Sequence, residues 1–356
     1  MRIGVPKETK TLEGRVALVP AAAGDLVKRG HEVWLEKDAG IKSGFSDEEY
    51  TRLGVNIAAD AAALYAKGEL IVKVKEPIAG DLQHLRKEHL LFCYLHLAAE
   101  PELTRQLLDI GLTGVAFETV ELPNGDLPLL APMSVIAGKI ATQVGTTLLH
   151  MPQGGKGKLL GGLPSTERGK VVVFGAGKAG GAAAALAAAG GANVVVFEMR
   201  TDRMDEMMAL GPNVTALYPY HDVVAREVAS ADLVVGAVLV TGAKAPRVLT
   251  REMLKGMQDG SVVVDISIDQ GGCFETSRPT TWKEPTYVEE GVTHFCVTNM
   301  PGSVPQTSSQ AICAAILPWV NRLAAGGAWR DDPALARGIN VEGGKLVHPA
   351  LLDMKL

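Results

Sequence analysis

Short apolar segments alternate with longer amphipathic or small-residue segments along most of the chain, and this alternation predicts its secondary structure. The apolar segments are rich in Val, Ile and Leu and run almost without polar interruption, which is typical of strands buried on both faces of a parallel sheet. Strands that alternate with helices predict an α/β fold. The expected strands are Arg2–Val5, His31–Glu36, Leu70–Val74, Leu90–Leu95, Gly114–Phe117, Val171–Phe174, Val194–Phe197, Leu233–Val238, Val262–Ile268 and His294–Val297.

The segments between these strands predict helices, two of them long. The long ones, Met133–Met151 and Gln306–Ala324, bracket the middle of the chain, so we expect the chain to leave a first domain and return to it. The first domain is predicted to comprise residues 1–132 and 306–356, and the second residues 133–305. The tail is predicted to consist of short helices and loops. The shorter helices are expected at Ala21–Arg29, Asp47–Leu53, Glu100–Ile110, Ala182–Ala189 and Arg203–Leu210.

One segment, Lys170 to Glu198, combines a strand, a glycine-rich turn, a helix and a second strand that ends at an acidic residue. Gly175 permits a tight turn, Gly177 lets the main chain approach a pyrophosphate, and Gly180 lets the helix pack closely on the strand. The N–H groups at the start of the helix attract the anion. This order of elements is the fingerprint of a dinucleotide-binding unit. The predicted phosphate-binding residues are Gly175, Gly177, Lys178, Ala179 and Gly180.

The acidic residue at the end of this unit predicts which dinucleotide is bound. Glu198 can accept hydrogen bonds from both ribose hydroxyls and repels a 2′-phosphate, which favours NAD over NADP. Arg200 and Arg203 lie nearby in the sequence, where they would either meet a 2′-phosphate or remain solvated or stacked on adenine. NAD is the expected cofactor. The expected fold class is α/β, with two doubly wound, Rossmann-like domains separated by a cleft.

Composition narrows the class of protein further. The chain has 356 residues, of which 47% are hydrophobic and 21% charged, as in an ordinary globular enzyme of two domains. A net charge of −5 gives no electrostatic reason to expect nucleic acid or an anionic membrane as partner. The four cysteines lack metal-ligand spacing, and no apolar run resembles a signal peptide or a membrane span. We expect a cytoplasmic enzyme without a catalytic metal.

Four polar residues are placed at or near the ends of predicted strands, where parallel α/β sheets bind ligands. Arg15, Lys75 and His96 belong to the first domain and Asp269 to the second, so the cleft is their expected meeting place. An arginine can clamp a carboxylate, a lysine can hold it or polarise a carbonyl, and a histidine can transfer a proton near neutral pH. The alternative is a structural histidine, solvated surface charges and a turn aspartate.

Several long motifs resemble those of the alanine dehydrogenases, in the superfamily that includes the NAD-binding component of proton-translocating transhydrogenase. The resemblance covers nearly the whole chain. Its motifs are RIGVPKE and GRVAL near the start, VKVKEP around Lys75, LHLAAE around His96, AFETV at Glu118, VVVDISIDQGGCFETSRPTT and NMPGSVPQTS.

The resemblance implies a pyridine-nucleotide enzyme that reversibly deaminates a small L-amino acid, with L-alanine, NAD and water giving pyruvate, ammonia and NADH. It implies that Arg15 and Lys75 bind the substrate, that His96 is the acid/base and that Asp269 assists the proton transfers. It also implies a homohexamer, with a dimer as the alternative. The residues implied beside the nicotinamide are Met133, Ser134, Val238, Leu239, Ile266, Asn299 and Met300.

Some positions depart from the family pattern and keep one of two alternative functions open. Val135 stands where the family often has Glu, and Ser267 stands where it usually has Ala. A changed pocket would suit an imine or opine-type reductase of the same family. The other alternative is an NAD-binding subunit of a transhydrogenase, which would need a partner chain for its chemistry.

Overall fold

The computed structural model describes residues 1–238 and 245–354. The chain divides into two compact units, one formed by Met1–Met133 together with the segment that begins at Gly302, and the other by Ser134–Pro301. The assignment of substrate binding to the first unit and NAD binding to the second, with the boundaries given above, stays a prediction.

The elements alternate between strand and helix in both units, which confirms the α/β class. The strands are β1 Arg2–Val5, β2 Glu32–Glu36, β3 Asn56–Ala58, β4 Leu70–Val72, β5 Leu90–Cys93, β6 Thr113–Ala116, β7 Lys170–Phe174, β8 Asn193–Phe197, β9 Val214–Leu217, β10 Leu233–Gly236, β11 Val262–Asp265, β12 Thr286–Glu289, β13 Val292–Phe295, β14 Ile339–Glu342 and β15 Lys345–Leu346. The helices are α1 Pro20–Lys28, α2 Asp47–Thr51, α3 Ala61–Lys67, α4 Ala79–Leu82, α5 Pro101–Ile110, α6 Ala131–Leu148, α7 Lys178–Ala189, α8 Thr201–Met208, α9 His221–Ala229, α10 Arg251–Lys255, α11 Pro305–Ala324 and α12 Pro333–Gly338.

The sheet of the first unit has the order β15-β14-β6-β5-β4-β1-β2-β3. Strands β1 to β6 are parallel, and β14 and β15 extend the sheet in antiparallel fashion beyond β6. The winding direction reverses between β1 and β4, which is the switch point where open α/β sheets bind ligands. Because β14 and β15 follow α11 and pair with each other, the tail of the chain contains a β-hairpin. The prediction of only helices and loops in the tail was therefore wrong. These strands are too short to show a period, and β14 becomes a strand because β6 offers it hydrogen-bond partners.

The sheet of the second unit has the order β12-β13-β11-β10-β7-β8-β9. All neighbours are parallel except β12, which pairs with β13 in antiparallel fashion. Without the antiparallel edge strands, both sheets follow the 3-2-1-4-5-6 order of a doubly wound nucleotide-binding fold. The switch point of this sheet lies between β7 and β10.

Burial explains why the central strands read as continuous apolar runs. Val172, Val234 and Val263 of the second sheet have no exposed surface, because helices cover both faces. The equivalent residues of the first sheet, such as Ile71 and Leu91, are buried in the same way. Among the described residues, no helix is long and apolar enough to cross a membrane.

Two element boundaries differ from the prediction in ways that affect candidate residues. Helix α7 begins at Lys178, four residues before the predicted start at Ala182, so the glycine-rich turn leads straight into its first turn. Strand β11 ends at Asp265, and Asp269 lies in the 3₁₀ turn Ile266–Gln270. The prediction that Asp269 follows directly on a strand was therefore wrong. The side chain of Asp265 ends the strand early by accepting a hydrogen bond from the main-chain N–H of Ser267.

Candidate functional site

Lys75 and His96 follow neighbouring strands of the first sheet. Their strands end at Val72 and Cys93, earlier than predicted, but strand-like hydrogen bonds continue past both ends. The main-chain N–H of Lys73 donates to the carbonyl of Phe92 at 3.1 Å, and that of Tyr94 donates to Val74 at 3.0 Å. These two bonds carry the parallel pairing to the point where the lysine and the histidine leave the sheet.

A buried carboxylate holds the main chain at Lys75. Glu8 follows β1, next to β4 at the switch point, and its Oε1 accepts the main-chain N–H of Val74 at 2.7 Å and of Lys75 at 3.2 Å. Its Oε2 lies 3.2 Å from the Nζ of Lys73, which also lies 3.3 Å from a carboxylate oxygen of Asp81. The ammonium group of Lys73 is therefore buried in the interior of the unit and paired there, although Lys73 is only two residues from Lys75.

The side chain of Lys75 lies among nearby charges. Its Nζ is 3.1 Å from Glu76, which also forms an ion pair with Lys10. The side chain is 13% exposed, so it retains some contact with solvent. Two ammonium groups thus share the carboxylate of Glu76.

Arg15 is buried and is held by an acidic partner that the sequence analysis did not consider. Its Nε and Nη2 donate to the two carboxylate oxygens of Glu13 at 2.7 and 2.6 Å, and its Nη1 donates to the sulfur of Met133 at 3.2 Å. Burial opposes the charge of Arg15, but the Glu13 carboxylate holds its pKa above the usual value. Glu13 therefore fixes the orientation of the guanidinium along its Nε–Nη2 edge.

His96 stands in a strained turn beside an aromatic ring. Its φ of 49° and ψ of 34° lie in the left-handed region, which is uncommon for a residue other than glycine. Its imidazole stacks on the ring of Tyr94, with centroids 5.6 Å apart and planes within 5°. Arg15 also acts electrostatically on this buried tyrosine. The structure thus brings Arg15, Lys75 and His96 to one end of the first sheet.

Glu118 belongs to the same group. Its Oε1 accepts the main-chain N–H of His96 at 2.6 Å and lies 3.9 Å from the Nδ1 of the imidazole. The N–H of Leu95 donates to both carboxylate oxygens, at 3.1 and 3.3 Å. The AFETV motif had marked Glu118 only as the residue that ends a predicted strand.

The glycine-rich turn of the second unit has the geometry of a phosphate cradle. Gly175 has a φ of 91°, and a Cβ on Gly180 would lie 1.8 Å from the carbonyl oxygen of Gly175. Gly177 is the N-cap residue of α7 and, as a glycine, has no side chain to cap the helix. No acidic residue occupies the first turn. A Cβ built on Gly177 would lie 3.5 Å from a guanidinium nitrogen of Arg203. Main-chain donors and one arginine therefore surround the start of the helix, where Lys178 is exposed.

The carboxylate of Glu198 is fixed at the end of β8. It accepts main-chain N–H groups from Ala176 at 2.9 Å, Met199 at 2.7 Å and Arg200 at 3.1 Å. Burial opposes its ionisation, but these three hydrogen bonds hold the pKa of Glu198 below the usual value. Arg200 forms an ion pair with Asp202 at 2.5 Å, whereas Arg203 faces Glu198 electrostatically.

Asp265 folds the loop that carries Asp269. Its buried carboxylate accepts main-chain N–H groups from Ser267 at 2.9 Å and Cys273 at 2.8 Å, and the hydroxyl of Ser277 also donates to it. Asp269 itself is exposed at the surface of the second unit. Ser267, which stands where the family usually has Ala, has its hydroxyl satisfied nearby, because the hydroxyl donates to the carbonyl of Val238 at 2.8 Å.

The remaining predicted cofactor residues lie in four parts of the second unit. Ser134 lies in the first turn of α6, Val238 and Ile266 follow β10 and β11, and Asn299 has a φ of 54° next to the buried Met300. Leu239 lies outside the described residues. Among the residues that the structure describes, no cluster of three or more His, Cys, Asp or Glu side chains is suited to hold a metal ion.

The residues that the sequence analysis missed are carboxylates at the same sheet edge. Glu8, Glu13 and Glu118 each hold a candidate residue or its main chain, and none of them was proposed for the site. The rule that selected His96, a polar residue at the end of an apolar strand, would also have selected Glu118. No comparable signal distinguished Glu8 or Glu13 from the other charges of their polar loop.

Comparisons with known proteins match nearly the whole length of the chain. The family model "Alanine dehydrogenase/PNT, N-terminal domain" matches residues 4–137, and "Alanine dehydrogenase/PNT, C-terminal domain" matches residues 141–349. An alanine dehydrogenase of Halomonas elongata is 48% identical over 99% of this chain and 96% of its own length.

Two solved structures extend the comparison to three dimensions. An L-alanine dehydrogenase superposes with a TM-score of 0.96 at 47% identity, covering 99% of this chain and 98% of the other. A transhydrogenase from Sinorhizobium meliloti superposes with a TM-score of 0.85 at 25% identity, covering 98% of this chain and all of the other.

Proposed function

The chain belongs to the alanine dehydrogenase/PNT family, and from this premise we propose that it is an NAD-dependent L-alanine dehydrogenase. The reaction converts L-alanine, NAD and water to pyruvate, ammonia and NADH. The observation that carries the proposal is the group formed by Arg15, Lys75 and His96 at the carboxyl end of the first sheet. This group offers two cations for a carboxylate and one acid/base.

The second unit fits NAD. The positive φ of Gly175 and the close approach of Gly180 leave room only for glycine, and the start of α7 presents unsatisfied main-chain donors to a pyrophosphate. Gly177, Lys178 and Ala179 complete the phosphate site, and Glu198 and Arg203 face the adenosine ribose. When bound, NAD accepts the hydride from the α-carbon of the substrate. The residues proposed to line its nicotinamide side are Ser134, Val238, Leu239, Ile266, Asp269, Asn299 and Met300.

Arg15 and Lys75 bind the substrate. Arg15 binds the α-carboxylate through its guanidinium, which Glu13 holds in place along the Nε–Nη2 edge. Lys75 holds the carboxylate and, in the keto acid, the carbonyl oxygen. Burial of the arginine excludes water from the contact and strengthens it. A substrate without a carboxylate loses both interactions.

His96 moves the protons. As water adds to the imine formed from the amino acid, the imidazole removes a proton from the water, and it returns a proton to the nitrogen when ammonia leaves. Asp269 assists these transfers. The stack on Tyr94 fixes the plane of the imidazole, so that its edge faces the substrate.

Replacing Glu198 with Gln should narrow the preference for NAD over NADP by about tenfold or more, because a 2′-phosphate would no longer meet a like charge. The substitution retains an oxygen that can accept the main-chain N–H groups of Met199 and Arg200, while the bond from Ala176 to the other carboxylate oxygen is lost. The measurement is the ratio of kcat/KM values for the two cofactors with L-alanine. Asp222→Asn, an exposed carboxylate on α9 of the same unit, is the control and should leave the ratio unchanged. An unchanged ratio in the Glu198 variant would remove this residue from cofactor selection.

The test of the proposed function is the initial rate of NADH formation by the purified chain with a panel of L-amino acids, run in parallel with NADP. We expect L-alanine with NAD to give the highest kcat/KM. Nucleotide binding without turnover of any amino acid would overturn the proposal and favour an NAD-binding transhydrogenase subunit that needs a partner. Turnover only with cyclic imines, or with a keto acid and an amine together, would favour the reductase alternative.

The family resemblance also supports a homo-oligomer, with a hexamer as the first expectation. All four cysteines are buried free thiols, which supports a reducing compartment such as the cytoplasm. Mass measurement of the purified protein in solution tests the oligomer.

A further inference from the structure

Glu118 and His96 lie at the ends of neighbouring strands of the first sheet. Strands β5 and β6 pair in parallel with Cys93 opposite Ala116, and the same register carried two residues further brings Glu118 beside Leu95. The side chain of Glu118 then reaches across to the histidine main chain. The pair is a product of strand register, because the two residues are 22 positions apart.

The carboxylate holds His96 in its left-handed turn. A histidine in this region of backbone space needs compensating contacts. Glu118 supplies them by accepting hydrogen bonds from the main-chain N–H groups of Leu95, at 3.1 and 3.3 Å, and of His96, at 2.6 Å. A neutral acceptor of the same shape would also fill this role, so these bonds alone do not explain why the residue is an acid.

The position of the charge relative to the ring gives Glu118 a second role. Its Oε1 is 3.9 Å from Nδ1 of His96, which is too far for a hydrogen bond but close enough for a strong interaction with an imidazolium. Glu118 is 16% exposed and His96 is 42% exposed, so solvent screens part of this interaction. Because Nδ1 faces the carboxylate, Nε2 is the ring nitrogen on the opposite edge.

We propose that Glu118 is a positioning residue for His96: it fixes the turn that presents Nε2 to the substrate and stabilises the imidazolium formed during the reaction. The inference rests on the proposed function for its catalytic consequence, although the electrostatic coupling is measurable without turnover. When His96 takes a proton from the attacking water, the positive charge forms beside an existing negative one.

Other titratable groups lie near Glu118 and His96, and their effects on the pH–rate profile must be distinguished from the effect of Glu118. Tyr94 stacks on the ring, and burial raises its pKa, so it stays neutral. Cys93, at the end of the same strand, is a buried thiol whose pKa burial raises. Burial lowers the pKa of His348, and Glu118 and Glu121 oppose that shift, so His348 also senses the carboxylate. Lys75 and Glu76 form an ion pair at the end of the next strand, β4.

The test is Glu118→Gln, which keeps an acceptor for the main-chain bonds and removes the charge. We expect the midpoint of the pH–rate profile to move to lower pH by about 0.5–1 unit in both directions of the reaction. At a pH above the midpoint, the rate of reductive amination should fall about three- to tenfold, while KM for pyruvate changes little. Unchanged midpoints with a lower melting temperature would mean a purely structural role and would overturn the proposal.

Control variants separate the alternatives. Glu121→Gln removes an exposed carboxylate three residues away that pairs with Arg337, and it should leave the profile unchanged. His348→Gln should also leave the midpoint in place, whereas a shift there would assign the profile to His348. Glu118→Asp keeps the charge, so its midpoint should lie closer to that of the wild type than the Gln variant does.

A measurement on the unsubstituted protein completes the test. The NMR signal of the His96 ring, assigned by its loss in His96→Gln, should show a second inflection at acid pH, where carboxylates take up protons. Its absence would overturn the coupling even if Glu118→Gln failed to fold. If the wild type turns over no amino acid but this inflection is present, the proposed function fails and the coupling stands.

Discussion

Replacing His96 with Ala should lower turnover about 100-fold or more, because general acid–base catalysis by a placed side chain contributes roughly that factor. The side chain is 42% exposed and its main contact is the stack on Tyr94, so its removal should cost the fold little. The measurement is kcat for L-alanine oxidation in the pH range of the wild-type optimum. KM for NAD should be nearly unchanged, since the imidazole is proposed to act on the substrate and makes no proposed contact with NAD.

A histidine at the other end of the sheet provides the matched control. His31 precedes β2, at the amino end of the strand, and its substitution by Ala should leave turnover close to wild type. If the His96 variant keeps near-wild-type turnover while folded, the acid/base assignment is wrong.

Replacing Lys73 with Met should destabilise the first unit by about 3–5 kcal/mol, the usual cost of removing one partner from a buried ion pair. Lys73 is 1% exposed, and its loss leaves Glu8 and Asp81 as buried carboxylates without their cation. Burial raises the pKa of Glu8, and Lys73 opposes that rise. Without Lys73 the pKa of Glu8 should rise further, so the variant should bind more protons in the folded state than in the unfolded state. Urea unfolding followed by tryptophan fluorescence is the measurement, because Trp34, Trp319 and Trp329 all belong to this unit.

Lys75→Met is the control for this prediction, and it should show the opposite pattern. Its stability should stay close to wild type, while kcat/KM for L-alanine falls, because the partly exposed side chain pairs with Glu76 and is proposed to bind the substrate. Equal loss of stability in the two variants would contradict the distinction between a structural and a substrate-binding lysine.

The contrast between these two lysines illustrates what the sequence could predict. The strand-end rule selected Lys75 and His96 because apolar runs precede them, and the parallel sheet brings such ends to one edge. The sequence could not identify Lys73 as the buried one, because its burial depends on Asp81 in α4 and on Glu8 after β1. Those partners come together only through the order of the strands.

The second unit was more predictable because its signals are local. The turn from Gly175 to Gly180 and the acid at Glu198 lie within one βαβ unit, so the sequence spacing already determines the geometry. The position of Asp269 was not predictable in this way. The early end of β11 depends on the side chain of Asp265, whose partners lie as far away as Ser277.

The most direct test of the central claim is the reaction of the purified chain with L-alanine carrying deuterium at the α-carbon. The account predicts that the deuterium appears at C4 of the reduced NAD, with pyruvate and ammonia formed in equal amounts to it. Reduced NAD without the label, or binding of NAD with no L-alanine turnover, would contradict the claim that this chain transfers the α-hydride of L-alanine to NAD.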